Sequence, residues 1–500
     1  MTQPRHGADY VDVVIVGAGL GGLATAALLG ARGLRVTVLE AADQEGGKLG
    51  FLETRGYRFD TGPSLLTMPG VLADLFADCG ERLSDHLTLT PLDPACRYRW
   101  PDGRGFDAHA NVTLMAAELE AFAAGSGQEY LKLAGRARRA FLGAEAVYFS
   151  RLPGPPTSYL KGLPPGSIAA MLPWPSLHAL GRAAFSNPRL QDFLDRYATY
   201  SGSDPRRAPA TLVSVLHAEL GLGAHHVNGG LYAVVTALRG LAERRGAVFR
   251  FSSPVERILT SGGRATGVVT KQGEVLAAGA VIVNADPHYL PRLLGRPKWR
   301  PPHLKAKPST SGLALLVGVR GKLAELAHHN VFFPNSYERE FDDLAAGRMP
   351  ADPTLYVCAP SRTDASLAPD GCENLFVLVN APALPAGPDW TQETSAVTGP
   401  ILEALARRGL DLSGRIEVLE ARTPRDLAVR AGAWRGAIYG SAVEGMSGLF
   451  RPSNRVPDVK GLYLASGGAH PGGGIPLALI SGRLAARALQ DDLKRYRIAR

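Results

Sequence analysis

Residues 11–40, VDVVIVGAGLGGLATAALLGARGLRVTVLE, decide the fold. The apolar run 11–16 reads as a buried strand and GAGLGG as a tight turn. An alanine- and leucine-rich helix follows to about Ala31, Gly33 stops it, and RVTVLE (35–40) forms a second strand. Strand, glycine turn, helix and strand in that order open a Rossmann-type α/β unit. In Gly17-Ala18-Gly19-x-x-Gly22 the glycines have separate tasks: one turns the chain, one lets the backbone approach a pyrophosphate, one packs helix on strand. The diphosphate is expected at the helix N-terminus, where unpaired N–H groups and the helix dipole favour an anion. Glu40 ends the second strand. A carboxylate there accepts hydrogen bonds from a ribose diol and repels a 2′-phosphate, which predicts an adenine dinucleotide other than NADP.

The same stretch imitates a membrane span, because Val13 to Ala31 is uncharged, but the glycines interrupt it and the βαβ reading explains them better. Neither a transmembrane helix nor a cleaved signal is expected. The chain has 500 residues, enough for two or three domains, and its 58 glycines exceed the usual share of roughly 7%, consistent with many close turns. The formal net charge is +9, and Arg292, Arg296, Lys298, Arg300, Lys305 and Lys307 have no acid between them. With no zinc-finger spacing, RRM-like block or basic heptads, no nucleic-acid partner is expected. Cys79, Cys96, Cys358 and Cys372 lack CxxC or metal-ligand spacing and read as reduced thiols of a cytoplasmic protein, with no metal site.

Further along, helical text at 112–125 and a Pro-rich run at 151–166 suggest a second unit with a flexible cover. The α/β pattern returns with a helix at 231–246, a buried strand at 280–285, strands at 311–319, 373–381 and 461–466, and a terminal helix from about Pro476. The cofactor unit is therefore assigned to 1–90, 225–290 and 425–500, and the substrate unit to 91–224 and 291–424.

Three further blocks carry chemistry: EGGK (45–48), YRFDTGPSLLTMP (57–69) and GLYLASGGAHPGGGIPLALISGRLAARAL (461–489). On these the chain resembles flavoproteins of the amine oxidase and carotenoid desaturase superfamily, and more narrowly the bacterial-type phytoene desaturases. Segments 59–80, 86–107 and 466–486 are most similar to 1-hydroxycarotenoid 3,4-desaturases, also called methoxyneurosporene dehydrogenases. Ser466 stands where that family often has glycine.

The resemblance implies the glutathione-reductase-like or amine-oxidase-like fold: an α/β class, Rossmann-like FAD-binding domain built from discontinuous segments, with an inserted α+β substrate domain. It implies FAD as cofactor, held by Gly17, Ala18, Gly19, Gly22, Glu40, Gly47, Lys48, Gly62, Pro63, Ser64, Val255, Gly467, Gly468, Gly474 and Ile475. It also implies C3,4 desaturation of an acyclic 1-hydroxycarotenoid end group in carotenoid biosynthesis. Alternatives are a phytoene or neurosporene desaturase, a carotenoid isomerase, an amine oxidase or, in a different class, a GDP-dissociation-inhibitor-like prenyl-binding escort. Reoxidation requires an acceptor such as oxygen or a membrane quinone.

A polyene activates its own allylic C–H bonds, so no strong acid–base constellation is required, and none is visible. His470 is the one weak catalytic candidate, set against a structural turn role. Asp60 is read either as orienting a loop near the flavin or as capping the turn before Thr61 and Gly62, and His225 and His226 as a surface loop. Because the apolar substrate resides in lipid, peripheral attachment to a membrane surface is expected. The segment 151–190, with Leu160, Leu163, Met171, Leu172, Trp174, Leu177 and Leu180, is either an interfacial lid or a buried helix pair, and the basic tail 493–500 either adds headgroup attraction or is solvated.

Overall fold

The computed structural model describes residues 10–159, 161–172, 174–299, 301, 305–390, 395–445 and 447–498. Leu160, Arg300 and the last two residues of the basic tail lie outside them.

The first strand, Tyr10–Val16, is central to a seven-stranded sheet. Val36–Leu39 pairs parallel with it on one side and Val275–Val283 on the other; Val248–Arg250 and Leu462–Leu464 extend the parallel core. The hairpin Val255–Ser261 and Arg264–Thr270 adds an antiparallel edge. Val13, Val14 and Ile15 are buried, as a parallel strand covered on both faces requires.

Every residue of the first helix, Leu20–Gly30, is buried. A helix apolar all round needs cover on all sides, and this one packs against Tyr232–Arg244 and Ile475–Ile498 as well as the sheet. Gly22 makes the contact possible: a Cβ there would meet the Gly17 carbonyl oxygen and the Asn284 side chain.

A second seven-stranded sheet runs in the order Ile416–Arg422, Ser311–Arg320, Cys372–Ala381, Leu355–Cys358, His329–Phe332, Cys96–Arg99, Gly105–Ala108. It is antiparallel except where Asn330 to Phe332 pairs with Arg97 to Arg99. The expected strands at 311–319 and 373–381 are its centre, one residue longer at an end. The helices Val112–Phe122, Ser126–Ala144, Leu177–Ala184 and Pro188–Asp195 share an aromatic core with it, in which Trp100 stacks on Phe333 at 4.7 Å.

In the segment read as lid or helix pair, Leu177, Leu180 and Phe185 belong to that core, whereas Ile168 and Trp174 are exposed. The surface loop expected for His225 and His226 is instead a strand, His225–Val227, paired with Leu89–Pro91, and His226 is buried. The neighbouring strand satisfies its backbone, and Asp364 faces the His226 ring. The four cysteines are free and buried. Among the described residues no helix is long and apolar enough to cross a membrane.

Candidate active site

The C-terminal ends of the parallel strands meet at the glycine turn, where α/β sheets usually bind ligands. Gly17 adopts φ +103°, which L side chains rarely reach, and its N–H donates to the Leu39 carbonyl at 2.8 Å. Glu40 Oε2 accepts from the Ala18 N–H at 2.6 Å and Oε1 from the Ala42 N–H at 2.9 Å, so this carboxylate shapes the turn directly. The next residue beyond the strand Val275–Val283 completes the arrangement: Asn284 Oδ1 accepts from the Gly19 N–H at 2.9 Å, and Nδ2 donates to the Ala465 carbonyl. One amide thus ties the N-terminal turn to the C-terminal glycine block, 265 and 181 residues away along the chain.

A cavity of about 420 Å³ extends from this point to the second sheet. Gly19, Gly47, Lys48, Gly62, Pro63 and Ser64 line it from the N-terminal blocks, and Gly467, Gly468, Gly474 and Ile475 from the C-terminal block. Gly17, Ala18, Gly22, Glu40 and Val255 lie off its wall; the first four build the turn behind it, and Val255 begins an edge strand. A flat ring system fits this cradle. A Cβ on Gly62 would meet the Lys48 carbonyl, and one on Gly468 would come within 2.6 Å of Pro287. Ser466 Oγ is buried on the wall without a protein partner, a polar atom that a ligand heteroatom would satisfy.

Lys48 Nζ donates to the Ile438 carbonyl at 2.6 Å and the Ala437 carbonyl at 3.2 Å. Burial lowers its pKa, and the Asp286 carboxylate opposes that shift. Burial alone would raise Asp286, but hydrogen bonds from His288 and the Lys48 charge hold it below the ordinary carboxylate value.

The opposite wall comes from the second sheet, where apolar Ala314, Val331, Phe376 and Leu378 stand beside polar Asn380 and Arg422. Two hydrogen-bonded groups also reach it. In the first, buried Arg196 donates through Nε to Tyr98 Oη at 3.1 Å and through Nη2 to Glu219 Oε1 at 3.3 Å; Tyr197 and Tyr200 also donate to Glu219. Arg196 and Tyr200 face the cavity. In the second, Ser64 Oγ and Tyr356 Oη lie 2.7 Å apart, and Tyr356 Oη lies 2.8 Å from His329 Nδ1.

His470 is not on the wall. Its Nε2–H points at the Tyr148 and Arg151 carbonyl oxygens at 2.8 and 3.0 Å, and burial lowers its pKa to about 4. Asp60 does not cap the turn before Thr61 and Gly62: Oδ2 accepts from the Leu231 N–H at 2.7 Å and Oδ1 from the Tyr232 N–H at 3.0 Å, capping a distant helix. Burial pushes its carboxyl up to about 6 despite these amides. His328, His329 and Cys358 lie within 4.8 Å of one another; both histidine Nδ1 atoms are hydrogen-bonded to protein hydroxyls, and burial raises the thiol.

Sequence reasoning missed Asn284, Asp286, Arg196, Glu219, Tyr356 and His329. Only the first two carried a local signal, as polar residues directly after a buried strand. The others meet through pairing of segments far apart in sequence.

The profile of the flavin-containing amine oxidoreductase family matches residues 20–490. Hydroxyneurosporene desaturase of Rhodobacter capsulatus is 37% identical over 490 residues, covering 96% of this chain and 98% of that protein. A zeta-carotene-forming phytoene desaturase of Myxococcus xanthus is 36% identical, covering 95% and 93%. Among solved structures, an oxidoreductase from Methanosarcina mazei superposes with a TM-score of 0.67 at 17% identity, covering 96% of this chain and all of that one, which speaks for the fold. Family profile, relatives and glycine cradle agree: the chain belongs to the flavin-containing amine oxidoreductase family, whose cofactor is FAD, and within it to the carotenoid desaturases.

Proposed function

We propose that this oxidoreductase introduces the C3,4 double bond into an acyclic 1-hydroxylated carotenoid end group. The observation that carries the choice of a hydroxylated substrate is the buried Arg196–Glu219 pair, with Arg196 and Tyr200 on the cavity wall. A substrate hydroxyl can hydrogen-bond to such wall groups and a hydrocarbon end group cannot. The relatives lend support, since hydroxyneurosporene desaturases stand among them, although a phytoene desaturase matches nearly as well.

FAD, when bound, supplies the two-electron acceptor for the hydrogen that leaves the allylic carbon with its electron pair. Gly17, Ala18, Gly19, Gly22 and Glu40 would hold the adenosine diphosphate half. Gly47, Lys48, Gly62, Pro63, Ser64, Gly467, Gly468, Gly474 and Ile475 would hold the ring half, with Val255 at the edge. The segments 1–90, 225–290 and 425–500 then act as the cofactor domain, and 91–224 and 291–424 as the substrate domain. The apolar wall holds the polyene against the ring and excludes water, and positioning supplies much of the rate. Oxygen or a quinone would reoxidise the enzyme. The exposed Ile168 and Trp174 suit peripheral contact with the lipid that carries the substrate.

Incubating the holoenzyme separately with phytoene, neurosporene and a 1-hydroxylated acyclic carotenoid tests this reading. The hydroxylated substrate should lose two hydrogens by mass and absorb at longer wavelength. Consumption of phytoene alone, or a product of unchanged mass, refutes it.

A further inference from the structure

Desaturation removes a proton as well as a hydride, and the family reading assigns no group to receive it. A proton acceptor must reach the substrate side of the cavity. Asp286 lies on the wall, but His288 occupies its Oδ1 and Lys48 pairs with its charge. Tyr356 instead belongs to the second-sheet strand Leu355–Cys358, beside Phe376 and Leu378.

Resting on the desaturase reading, we propose that the chain Ser64–Tyr356–His329 receives the proton lost by the substrate, with His329 Nδ1 as the terminal base. The bookkeeping balances. The C–H electron pair becomes the new π bond, and the proton moves to Ser64 Oγ. The Ser64 proton passes to Tyr356 Oη, and the Tyr356 proton passes to His329 Nδ1, leaving an imidazolium. The neighbouring carbon has given its hydrogen and electron pair to the flavin, so each substrate loses one hydride and one proton.

The geometry supplies both contacts, at 2.7 and 2.8 Å, without rearrangement. Burial raises the Tyr356 phenol well above its ordinary value, so it passes a proton and does not store a charge. Burial, with the Arg196 and His226 charges, takes His329 down to about 3. So weak a base suffices, because a hydrogen beside a polyenyl cation is strongly acidic, and it discharges readily afterwards.

The side chains beyond His329 mark the direction in which the proton would leave. His329 Nε2 is buried without a protein partner. The ring centroids of His329 and His328 lie 4.5 Å apart and those of His328 and His226 5.1 Å, and Asp364 Oδ2 lies 3.5 Å from His226 Nε2, with the Asp364 side chain reaching solvent. A side cavity of about 20 Å³ touching Ser64, His226 and His328 has room for one water, which needs roughly 10–15 Å³.

The test compares wild-type, Y356F and H329Q holoenzyme on a 1-hydroxylated acyclic carotenoid deuterated at either reacting carbon. Y356F keeps the ring and removes only the relay hydroxyl, so it decides the matter even where H329Q fails to fold. Its kcat should fall at least tenfold, with KM and flavin absorbance within twofold. The isotope effect should grow at the carbon that loses the proton and shrink at the hydride donor. In histidine-¹⁵N-labelled holoenzyme, one neutral Nδ1 resonance should shift on losing its phenol donor. Wild-type kcat in Y356F, an unchanged isotope pattern, or a loss of rate in D286N but not Y356F overturns the relay. A wild-type enzyme that dehydrogenates no acyclic carotenoid overturns the desaturase reading instead.

Discussion

Asn284→Ala removes the single amide that ties the two glycine blocks together. The Gly19 N–H and the Ala465 carbonyl lose the partners they have at 2.9 Å and closer. A buried polar group left unpaired costs about 1–3 kcal/mol, and because Asn284 borders the cavity, where water can enter, the lower half of that range applies to each. The two together give about 2–4 kcal/mol. If FAD binds the turn only in its tied geometry, this subtracts from binding, and at roughly 1.4 kcal/mol per decade the FAD dissociation constant rises about 30- to 700-fold. Titration of stripped enzyme with FAD, followed by flavin fluorescence quenching, measures it. Asn284→Asp sharpens the test: it keeps the acceptor for Gly19 but sets an anionic oxygen against the Ala465 carbonyl, so it should bind more weakly than the alanine variant. FAD affinity within threefold of wild type in Asn284→Ala refutes the reasoning.

Gly22→Ala places a Cβ against the Gly17 carbonyl oxygen, backbone that cannot yield cheaply, so the purified variant should be colourless while its circular dichroism stays native; a yellow variant contradicts the packing argument. Arg196→Met leaves the buried Glu219, its side chain 2% exposed, without its counter-charge and with only the Tyr197 and Tyr200 hydroxyls, which costs about 3 kcal/mol in urea unfolding, and Arg196→Met with Glu219→Leu should recover most of it. A single variant as stable as wild type removes the pair from the account. His470, lowered from an ordinary 6.5 to about 4 by burial, binds its proton more readily unfolded than folded. Stability is therefore full above pH 6.5 and lost as pH falls toward 4, by about 3 kcal/mol over that window. His470→Gln should flatten this dependence in denaturation at pH 7 and pH 4.5 and retain turnover; loss of turnover with unchanged stability makes the ring catalytic.

The residues that were legible act on their immediate neighbours. Gly17 to Gly22 encode a turn through missing side chains, whereas Glu40, expected to accept from a ribose diol, accepts from the Ala18 amide because parallel strands place their ends side by side. Asp60 shows the limit. Local sequence suggests a turn cap, yet the carboxylate caps the helix Tyr232–Arg244, and no local pattern encodes a partner 171 residues away. The His225–His226 pair failed for a similar reason, since a strand of three residues borrows its stability from Leu89–Pro91.

By itself, then, the sequence determined the dinucleotide turn, the strands and helices that build its unit, and the glycine blocks a flavin requires, because glycine positions and apolar periodicity are properties of consecutive residues. Tertiary structure alone decided which side chains gather at or behind the cavity wall. Arg196, Glu219, Ser64, Tyr356 and His329 come from separate parts of the chain. Their proposed roles rest on burial and on separations of a few ångströms, quantities fixed only when segments distant in sequence pack together.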